Sequence, residues 1–141
     1  MFWDTSAIVP SFLRESASEQ MEKLLGGDRQ VAIWWATPLE CQSAIHRRHR
    51  TAPLPDTALQ EAFRRLKILA ETAEKVSPTD DVLRKAGRLL ARHPLCAADA
   101  LQLSAALVWY EEQQAGQPFV CLDHRLREAA GREGFELLPV S

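Results

Sequence analysis

Three short, mainly apolar runs constrain the fold of this chain more than any other sequence feature. They are QVAIWW (residues 30–35), PFVCL (118–122) and FELLPV (135–140), and a still shorter run, MFW, opens the sequence. None of them alternates polar with apolar residues regularly, which is typical of strands buried on both faces. Helical segments separate the runs. This order predicts a parallel sheet with helices covering both of its faces.

The segments between the runs have helical spacing and end signals. Helices are predicted directly after MFW, from SPTDD to about residue 92, and at about residues 16–25, 37–50, 57–75, 97–114 and 126–134. Thr37 is the expected N-cap of its helix with Pro38 in the first helical position, and Asp56 is the expected cap of the next. Helix outweighs strand. We therefore expect one domain over residues 1–141, an α/β/α three-layer sandwich with a short, mainly parallel central sheet.

Length and charge limit what the domain can be. A chain of 141 residues fits one domain and can bury a core without a metal or a disulfide. The formal net charge of −2 excludes binding to nucleic acid by overall attraction, so any such contact needs a local basic patch. The three cysteines lack CxxC spacing, which predicts neither a disulfide framework nor a zinc site.

The sequence shows no sign of export or membrane insertion. Its N-terminus lacks a basic segment followed by a long apolar one, so we expect no signal peptide. No apolar run approaches the ~18 residues of a membrane span. The expected setting is the reducing cytoplasm, without membrane contact.

Two aspartates stand where predicted strands end. Asp4 follows MFW and Asp123 follows FVCL, and a predicted helix comes directly after each. Helix capping explains either residue taken alone, because aspartate is a favoured N-cap. In a parallel sheet, however, ligands bind beyond the carboxyl ends of the strands. Two carboxylates at such ends are expected to converge at one rim of the sheet.

Two further acids stand out near predicted helix starts. Glu40 lies three residues after Thr37, the spacing of a capping box, and its helix follows the predicted strand QVAIWW. Asp99 lies within LCAADALQLSAAL, where nearly every neighbour is small or apolar. Leu95 and Leu103 should share its helix face, which would then point inward. The helix dipole favours an acid in the first turn, but a buried carboxylate without a partner is costly, so a pocket is also indicated.

Converging carboxylates predict a cation site. Crowded carboxylates all stay ionised only if a cation neutralises them, and oxygen ligands favour Mg²⁺ or Mn²⁺. The expected chemistry is phosphodiester hydrolysis, because Mg²⁺ held by few carboxylates usually meets substrate phosphates. His46 and His49 lie in HRRHR, which is typical of a solvated basic helix end. Arg47, Arg48 and Arg50 of this run are candidate contacts for a nucleic-acid backbone, or ordinary solvated side chains.

Four segments of the chain resemble the acidic motifs of PIN-domain ribonucleases, specifically the VapC-type toxins of bacterial toxin–antitoxin pairs. They are MFWDTSAIVPSFLRE, TPLECQSAIHRR, LCAADALQLSAAL and FVCLDHRLREAA. The resemblance spans nearly the whole chain and implies a PIN-like, Mg²⁺- or Mn²⁺-dependent endoribonuclease. Its catalytic, metal-binding acids would be Asp4, Glu40, Asp99 and Asp123, with the hydroxyl of Ser6 supporting the site. It also implies a homodimer and a small cognate antitoxin that blocks the acidic pocket.

Two positions depart from the pattern of that family. Cys121 stands where many members have threonine or serine, two residues before the last aspartate, and a thiol is the weaker hydrogen-bonding group. Cys96 stands where a basic residue is common, which removes one possible phosphate contact. These changes leave substrate preference and rate open rather than the class of reaction.

Two other functions stay open. The first is a phosphatase or phosphotransferase with Asp4 as nucleophile, although enzymes of the haloacid-dehalogenase type want an aspartate at position 6, which is Ser6 here. The second is a non-catalytic protein-interaction module on the same fold, for which the tryptophans of QVAIWW and Trp109 are candidate surface residues. P-loop and dinucleotide-binding glycine motifs are absent from the sequence.

Overall fold

The computed structural model describes residues 1–111 and 115–140, and across these residues the chain forms five short strands and seven helices. The strands are β1 (Phe2–Trp3), β2 (Ala32–Trp34), β3 (Glu74–Val76), β4 (Pro118–Val120) and β5 (Glu136–Leu138). The helices are α1 (Thr5–Phe12), α2 (Ser18–Gly27), α3 (Thr37–Thr51), α4 (Asp56–Thr72), α5 (Asp80–Arg92), α6 (Ala97–Trp109) and α7 (His124–Arg132).

The strands form one sheet in the order β3-β2-β1-β4-β5, and every neighbouring pair is parallel. The shortest strand, β1, lies in the centre, where Phe2 is in register with Ala32 of β2 and with Phe119 of β4. The predicted parallel sheet is confirmed.

The sheet separates two hydrophobic cores, since successive residues of a strand face opposite sides. Phe2 belongs to one core, which includes Leu103 and other buried residues of α5, α6 and α7. Trp3 belongs to the other, which includes Ile45 and other buried residues of α1 to α4. Burial of each large side chain contributes about 1.5–3 kcal/mol. The predicted α/β/α sandwich is therefore confirmed, with four helices on one face and three on the other.

The sequence pattern missed the edge strand β3. Helix was predicted over residues 57–75, but α4 ends at Thr72 and residues 74–76 extend alongside β2. Glu74 and Lys75 are exposed and only Val76 is buried, so this strand lacks the apolar run of an interior strand. Its backbone partners decide its conformation: Glu74 N donates to the carbonyl of Val31 at 2.9 Å.

Two predicted helix caps are the first residues of their helices instead. α3 begins at Thr37 with Ala36 in the cap position, and α4 begins at Asp56 after Pro55. Neither helix has a side-chain hydrogen bond at its cap. The Thr37 hydroxyl is thereby left available for a buried contact described below.

The predicted helix over residues 97–114 is shorter in the structure. α6 ends at Trp109, and Glu111 adopts a φ of 51°, a left-handed conformation that ends a helix. Residues 112–114 of the predicted helix lie outside the described residues. In the described part of the chain, no helix is both long and apolar enough to cross a bilayer.

Leu103 offers a test of the core on the α5–α7 face. Leu103→Ala should lower the free energy of unfolding by about 2–5 kcal/mol, because it leaves a cavity in fully buried surroundings. Leu83 on α5 is the matched control, since it is 65% exposed and its change to alanine should stay within about 0.5 kcal/mol. Urea unfolding measures both. Equal losses in the two variants would contradict this packing.

Candidate active site

Asp4 lies at the carboxyl end of the central strand and is only 4% exposed. Its backbone N–H donates to the carbonyl of Val120 on β4 at 2.9 Å. Its side-chain Oδ2 accepts two bonds from Ser6, from the backbone N–H at 3.1 Å and from Oγ at 2.5 Å. Asp4 is therefore the N-cap of α1 and, at the same time, a carboxylate at the edge of the sheet.

Ser6 connects this carboxylate to the neighbouring strand end. While its hydroxyl donates to Asp4, it accepts from Leu122 N at 2.9 Å. Cys121 lies beside it, with Sγ donating to Asp4 Oδ2 at 3.6 Å. Burial and the charge of Asp4 raise the pKa of the Cys121 thiol, so the group stays protonated and keeps its proton for this bond. The Cys121 thiol therefore donates a hydrogen bond to Asp4, as a serine or threonine hydroxyl could at this position, but over the longer distance that sulfur requires.

Asp123 comes two residues after Cys121 and is exposed. Its Oδ1 accepts from Leu126 N at 2.9 Å, which makes it the N-cap of α7. Like Asp4, Asp123 therefore both caps a helix and places a carboxylate beyond the end of a strand.

Glu40 lies in the first turn of α3 and is half-buried. The capping box that its spacing suggested does not form. Instead, Oε1 accepts from Gln102 Nε2 at 2.9 Å and from the Thr5 hydroxyl at 3.5 Å. The side chain is thereby drawn across toward α1 and α6, rather than back onto its own helix.

Asp99 lies in the first turn of α6 and is half-buried. Leu103, one turn later, is fully buried, so this side of the helix does face inward. Leu95 was expected on the same face, but it precedes α6, which begins at Ala97. The apolar sequence around Asp99 thus indicated its inward direction correctly, although one of the two supporting residues was misplaced.

All four acids line one open cleft of about 600 Å³ at the carboxyl edge of the sheet, together with Ser6. Among the described residues, no lysine or arginine forms an ion pair with any of Asp4, Glu40, Asp99 or Asp123. The cleft therefore gathers four carboxylates from separate elements, and none of them is neutralised by an ion pair within the described residues.

The acids raise one another's pKa values. Burial is the largest cause for Asp4, and the charge of Asp99 adds to it. Burial, with the charges of Asp4 and Asp99, raises the pKa of Glu40 from 4.5 to about 7. The pKa of Asp99 is raised by burial and by the charge of Asp123, while a hydrogen bond from Cys96 opposes the shift. A cation in the cleft would favour the ionised form of every one of these groups.

Two of the three candidate arginines also line this cleft. Arg47 and Arg48, on the third and fourth turns of α3, contribute to its wall, whereas Arg50 is exposed and is not among the lining residues. His49, in the same basic run, accepts a hydrogen bond from Leu54 N through Nδ1 at 3.0 Å, and so holds the loop after the helix.

The carboxylates of the cleft have the right chemistry for a hard divalent cation, but their positions in this structure do not yet form a coordination site. Five carboxylates, the four predicted acids and Glu15, line the cleft without a thiolate or imidazole, and this is the ligand chemistry of Mg²⁺ or Mn²⁺. As the side chains stand, however, no three acid, histidine or cysteine groups within residues 1–111 and 115–140 are placed to hold one ion together.

Three polar residues at the site escaped the sequence reasoning. Thr5, Thr37 and Gln102 meet beside Glu40, through bonds from Gln102 Nε2 of 3.1 Å to Thr5 Oγ1 and 3.0 Å to Thr37 Oγ1. A signal for Gln102 was available, because it is the one amide in the apolar helix that carries Asp99, and it follows Asp99 by nearly one turn.

The fold and the cleft define a three-layer α/β domain with an acidic site at the carboxyl edge of a parallel sheet. Residues 1–132 match the PIN domain, and the chain belongs to the PIN domain family. Among solved structures it is similar to VapC20 of Mycobacterium tuberculosis, described as a Sarcin-Ricin loop cleaving toxin. The two chains are 19% identical, with a TM-score of 0.64, over 96% of this chain and 95% of that one. This likeness establishes a common fold. No curated protein matches the sequence.

The raised pKa of Glu40 predicts a pH-dependent cost to stability. Below about pH 4.5 the carboxyl is protonated in both the folded and the unfolded state, and as the pH rises through about 7 the folded state must hold an unfavourable charge. In EDTA, Glu40→Gln should therefore be more stable than the wild type by about 1–2 kcal/mol at pH 8, a value reduced for partial solvent screening. The difference should vanish near pH 4.5.

Glu61→Gln is the matched control, with the opposite sign. Hydrogen bonds from Arg64 and Arg65 lower the pKa of Glu61 to about 2, so its charge stabilises the fold at neutral pH. This variant should be less stable than the wild type at pH 8. Urea titrations of the three proteins at pH 4.5, 6, 7 and 8 test both signs, and a Glu40→Gln effect that does not change with pH would contradict the assigned cause.

Proposed function

We propose that this protein is a metal-dependent endoribonuclease and the toxin component of a type II toxin–antitoxin system. The observation that carries the proposal is the single cleft to which four separate elements contribute Asp4, Glu40, Asp99 and Asp123. Membership of the PIN domain family supports it, as does the shared fold with a solved toxin described as cleaving the Sarcin-Ricin loop.

The four carboxylates are the proposed holders of Mg²⁺, with Mn²⁺ as an alternative. Such a cation supplies Lewis-acid activation of water and charge stabilisation at a phosphodiester. Asp4 is the most constrained of the four, because Ser6 and Cys121 orient its carboxylate. Glu40 and Asp99 are half-buried, so their charges act in a partly desolvated cleft, where attraction to a cation is stronger than in water.

Arg47 and Arg48 are the proposed contacts for the RNA backbone. They line the same cleft as the acids and carry the opposite charge, so a phosphate between them and the acids could be held at the site of hydrolysis. Because the net charge of −2 gives the whole protein no attraction for RNA, binding needs a local basic patch, and Arg47 and Arg48 provide one. Arg50 is expected to contribute less.

The structure of the site weakens both alternatives. As a phosphatase nucleophile, Asp4 would need an accessible oxygen, but it is 4% exposed and three donors converge on Oδ2. A non-catalytic interaction module would have no need to gather these acids, since the charges of Asp4, Asp99 and Asp123 raise the pKa values of neighbouring carboxyls in the cleft. The exposed Trp35 does offer such a module a contact, since its side chain is 57% exposed.

The proposal extends to partners and setting. A small antitoxin would cover the acidic cleft, and the toxin would act as a homodimer in the cytoplasm, where RNA is accessible to it. Exposed apolar side chains are available for such contacts outside the two cores. They are Trp35, Leu39, Ile68, Leu83, Leu90 and Val140.

Removal of one carboxylate from the cleft should abolish RNA cleavage. Asp4→Asn and Asp99→Asn each keep the shape of the side chain but remove its charge, and we expect activity to fall by at least about 100-fold. Even the loss of a hydrogen-bond partner of a metal ligand typically costs 10–100-fold. The measurement is cleavage of total RNA by purified, antitoxin-free protein in Mg²⁺ and in EDTA.

Asp80→Asn is the control for these substitutions. Asp80 is an exposed acid at the start of α5 that does not line the cleft, and its neutralisation should leave cleavage unchanged. Cleavage that persists in EDTA, or in either cleft variant at the wild-type rate, would refute the acidic site.

Arg47→Ala should weaken RNA binding by the loss of one phosphate contact. In a salt titration of binding to single-stranded RNA, made with the inactive Asp99→Asn protein, the slope of log affinity against log salt should fall by about one. Arg50→Ala is the comparison variant on the same helix and should lower the slope by less than Arg47→Ala does, because Arg50 does not line the cleft. Identical slopes for both variants would contradict the role of Arg47.

A further inference from the structure

Gln102 is a buried amide at the junction of three helices that carry cleft acids. It lies on α6 and is 1% exposed. Its Nε2 is within hydrogen-bond distance of Thr5 on α1, of Thr37 on α3, and of both carboxylate oxygens of Glu40, at 2.9 and 3.4 Å. One primary amide thus joins the first turns of α1 and α3 to the helix of Asp99.

The orientation of this amide follows from the charge of Glu40. When Glu40 is ionised, as a bound cation would favour, its carboxylate only accepts, and the N–H side of the amide faces it at 2.9 Å, whereas the two threonine hydroxyls can rotate to accept or donate. A primary amide has two N–H groups, and four oxygens surround Nε2. Glu40 takes one N–H, and the threonine hydroxyls share the other.

The opposite side of the amide is left without a partner. Gln102 Oε1 is buried and accepts no hydrogen bond from the described residues. An apolar side chain of the same length would fill this place without stranding a carbonyl oxygen, and packing alone would therefore favour one. The amide is present at a cost to stability, and an apolar side chain would lack its N–H contacts with Glu40, Thr5 and Thr37, of which the one with Glu40 is the shortest and is made to an acid of the cleft.

We propose that Gln102 is a positioning residue that holds the Glu40 carboxylate at the cleft for cation binding. The inference rests on the proposed function, because it takes Glu40 as part of the cation site. Gln102 acts through Glu40 and does not itself line the cleft. Without the amide, the carboxylate loses its shortest hydrogen bond and keeps only the longer contact with Thr5.

The test measures Mn²⁺ binding alone, by isothermal titration calorimetry, so no RNA substrate has to be known. Gln102→Met removes the amide and keeps the length of the side chain. We expect it to weaken Mn²⁺ binding by about 10–100-fold, the usual effect of losing a partner that orients a metal ligand. Gln102→Asn keeps a buried amide but is one methylene shorter. Gln102→Asn should also bind Mn²⁺ more weakly than the wild type. It replaces Gln102→Met in the test if the methionine variant does not unfold cooperatively.

A double-mutant cycle with Glu40→Gln separates positioning from general support of the fold. If Gln102 acts through Glu40, adding Gln102→Met to Glu40→Gln should change Mn²⁺ affinity by less than about 2-fold. Ser104→Ala is the control for a buried polar group on α6, since Ser104 Oγ donates to the carbonyl of Val82 on α5 rather than to the cleft. This variant should keep the wild-type affinity.

The outcomes distinguish the two proposals. Wild-type protein that binds no Mn²⁺ overturns the proposed cation site, and the role of Gln102 with it. If the wild type binds Mn²⁺ and Gln102→Met binds it equally tightly, the cation site stands and the positioning role of Gln102 is overturned. An equal loss from Gln102→Met in the wild-type and Glu40→Gln backgrounds also overturns it, because the amide would then act on the whole fold.

Discussion

All five strands of the sheet run in one direction, and the position of the acidic cleft depends on this constraint. In a parallel sheet the carboxyl ends of neighbouring strands meet at one edge. Asp4 and Asp123 follow the adjacent strands β1 and β4, and Glu40 follows β2 on the other side of β1. Asp99 opens α6, which leads into β4, and a helix that returns antiparallel to the strands begins at this same edge. Chain direction alone thus brings four distant residues together.

Hydrogen bonding between the strand ends then determines how the central carboxylate is held. Ser6 donates to Asp4 and accepts from the backbone of Leu122, so one hydroxyl connects the ends of β1 and β4. The same carboxylate caps α1. Capping and function therefore do not compete at Asp4, because the bonds that satisfy the helix end also fix the orientation of the acid. The buried thiol of Cys121 completes this arrangement at a longer distance.

The carboxylates of the cleft lie in surroundings that disfavour their ionised forms. Burial and mutual repulsion raise the pKa values of Asp4, Glu40 and Asp99, and Gln102 strands a buried carbonyl oxygen in order to face Glu40. Within the part of the chain that the structure describes, the arginines that share the cleft form no ion pair with these acids. A protein that carries such costs at one cleft, while its two cores are well packed, has the distribution of strain expected of a functional site.

The parallel sheet and most of its helices could be predicted from the sequence. The apolar runs predicted the parallel sheet, because strands buried on both faces cannot alternate polar with apolar residues. They missed β3, whose residues Glu74 and Lys75 are exposed and whose conformation depends on pairing with β2. Local patterns also assigned Thr37 and Asp56 to caps, since the spacing that marks a cap does not distinguish it from the first helical residue.

The sequence by itself determined the chemistry of the site, because residue types decide which donors are present: four carboxylates in unusual settings, with a serine two residues after the first. Only the tertiary structure decided which neighbours those groups have. It placed Arg47 and Arg48 at the cleft and Arg50 outside it, and it brought Gln102 against Glu40 from 62 residues away. Such contacts arise when separate helices pack on one sheet, and no pattern within a single helix encodes them.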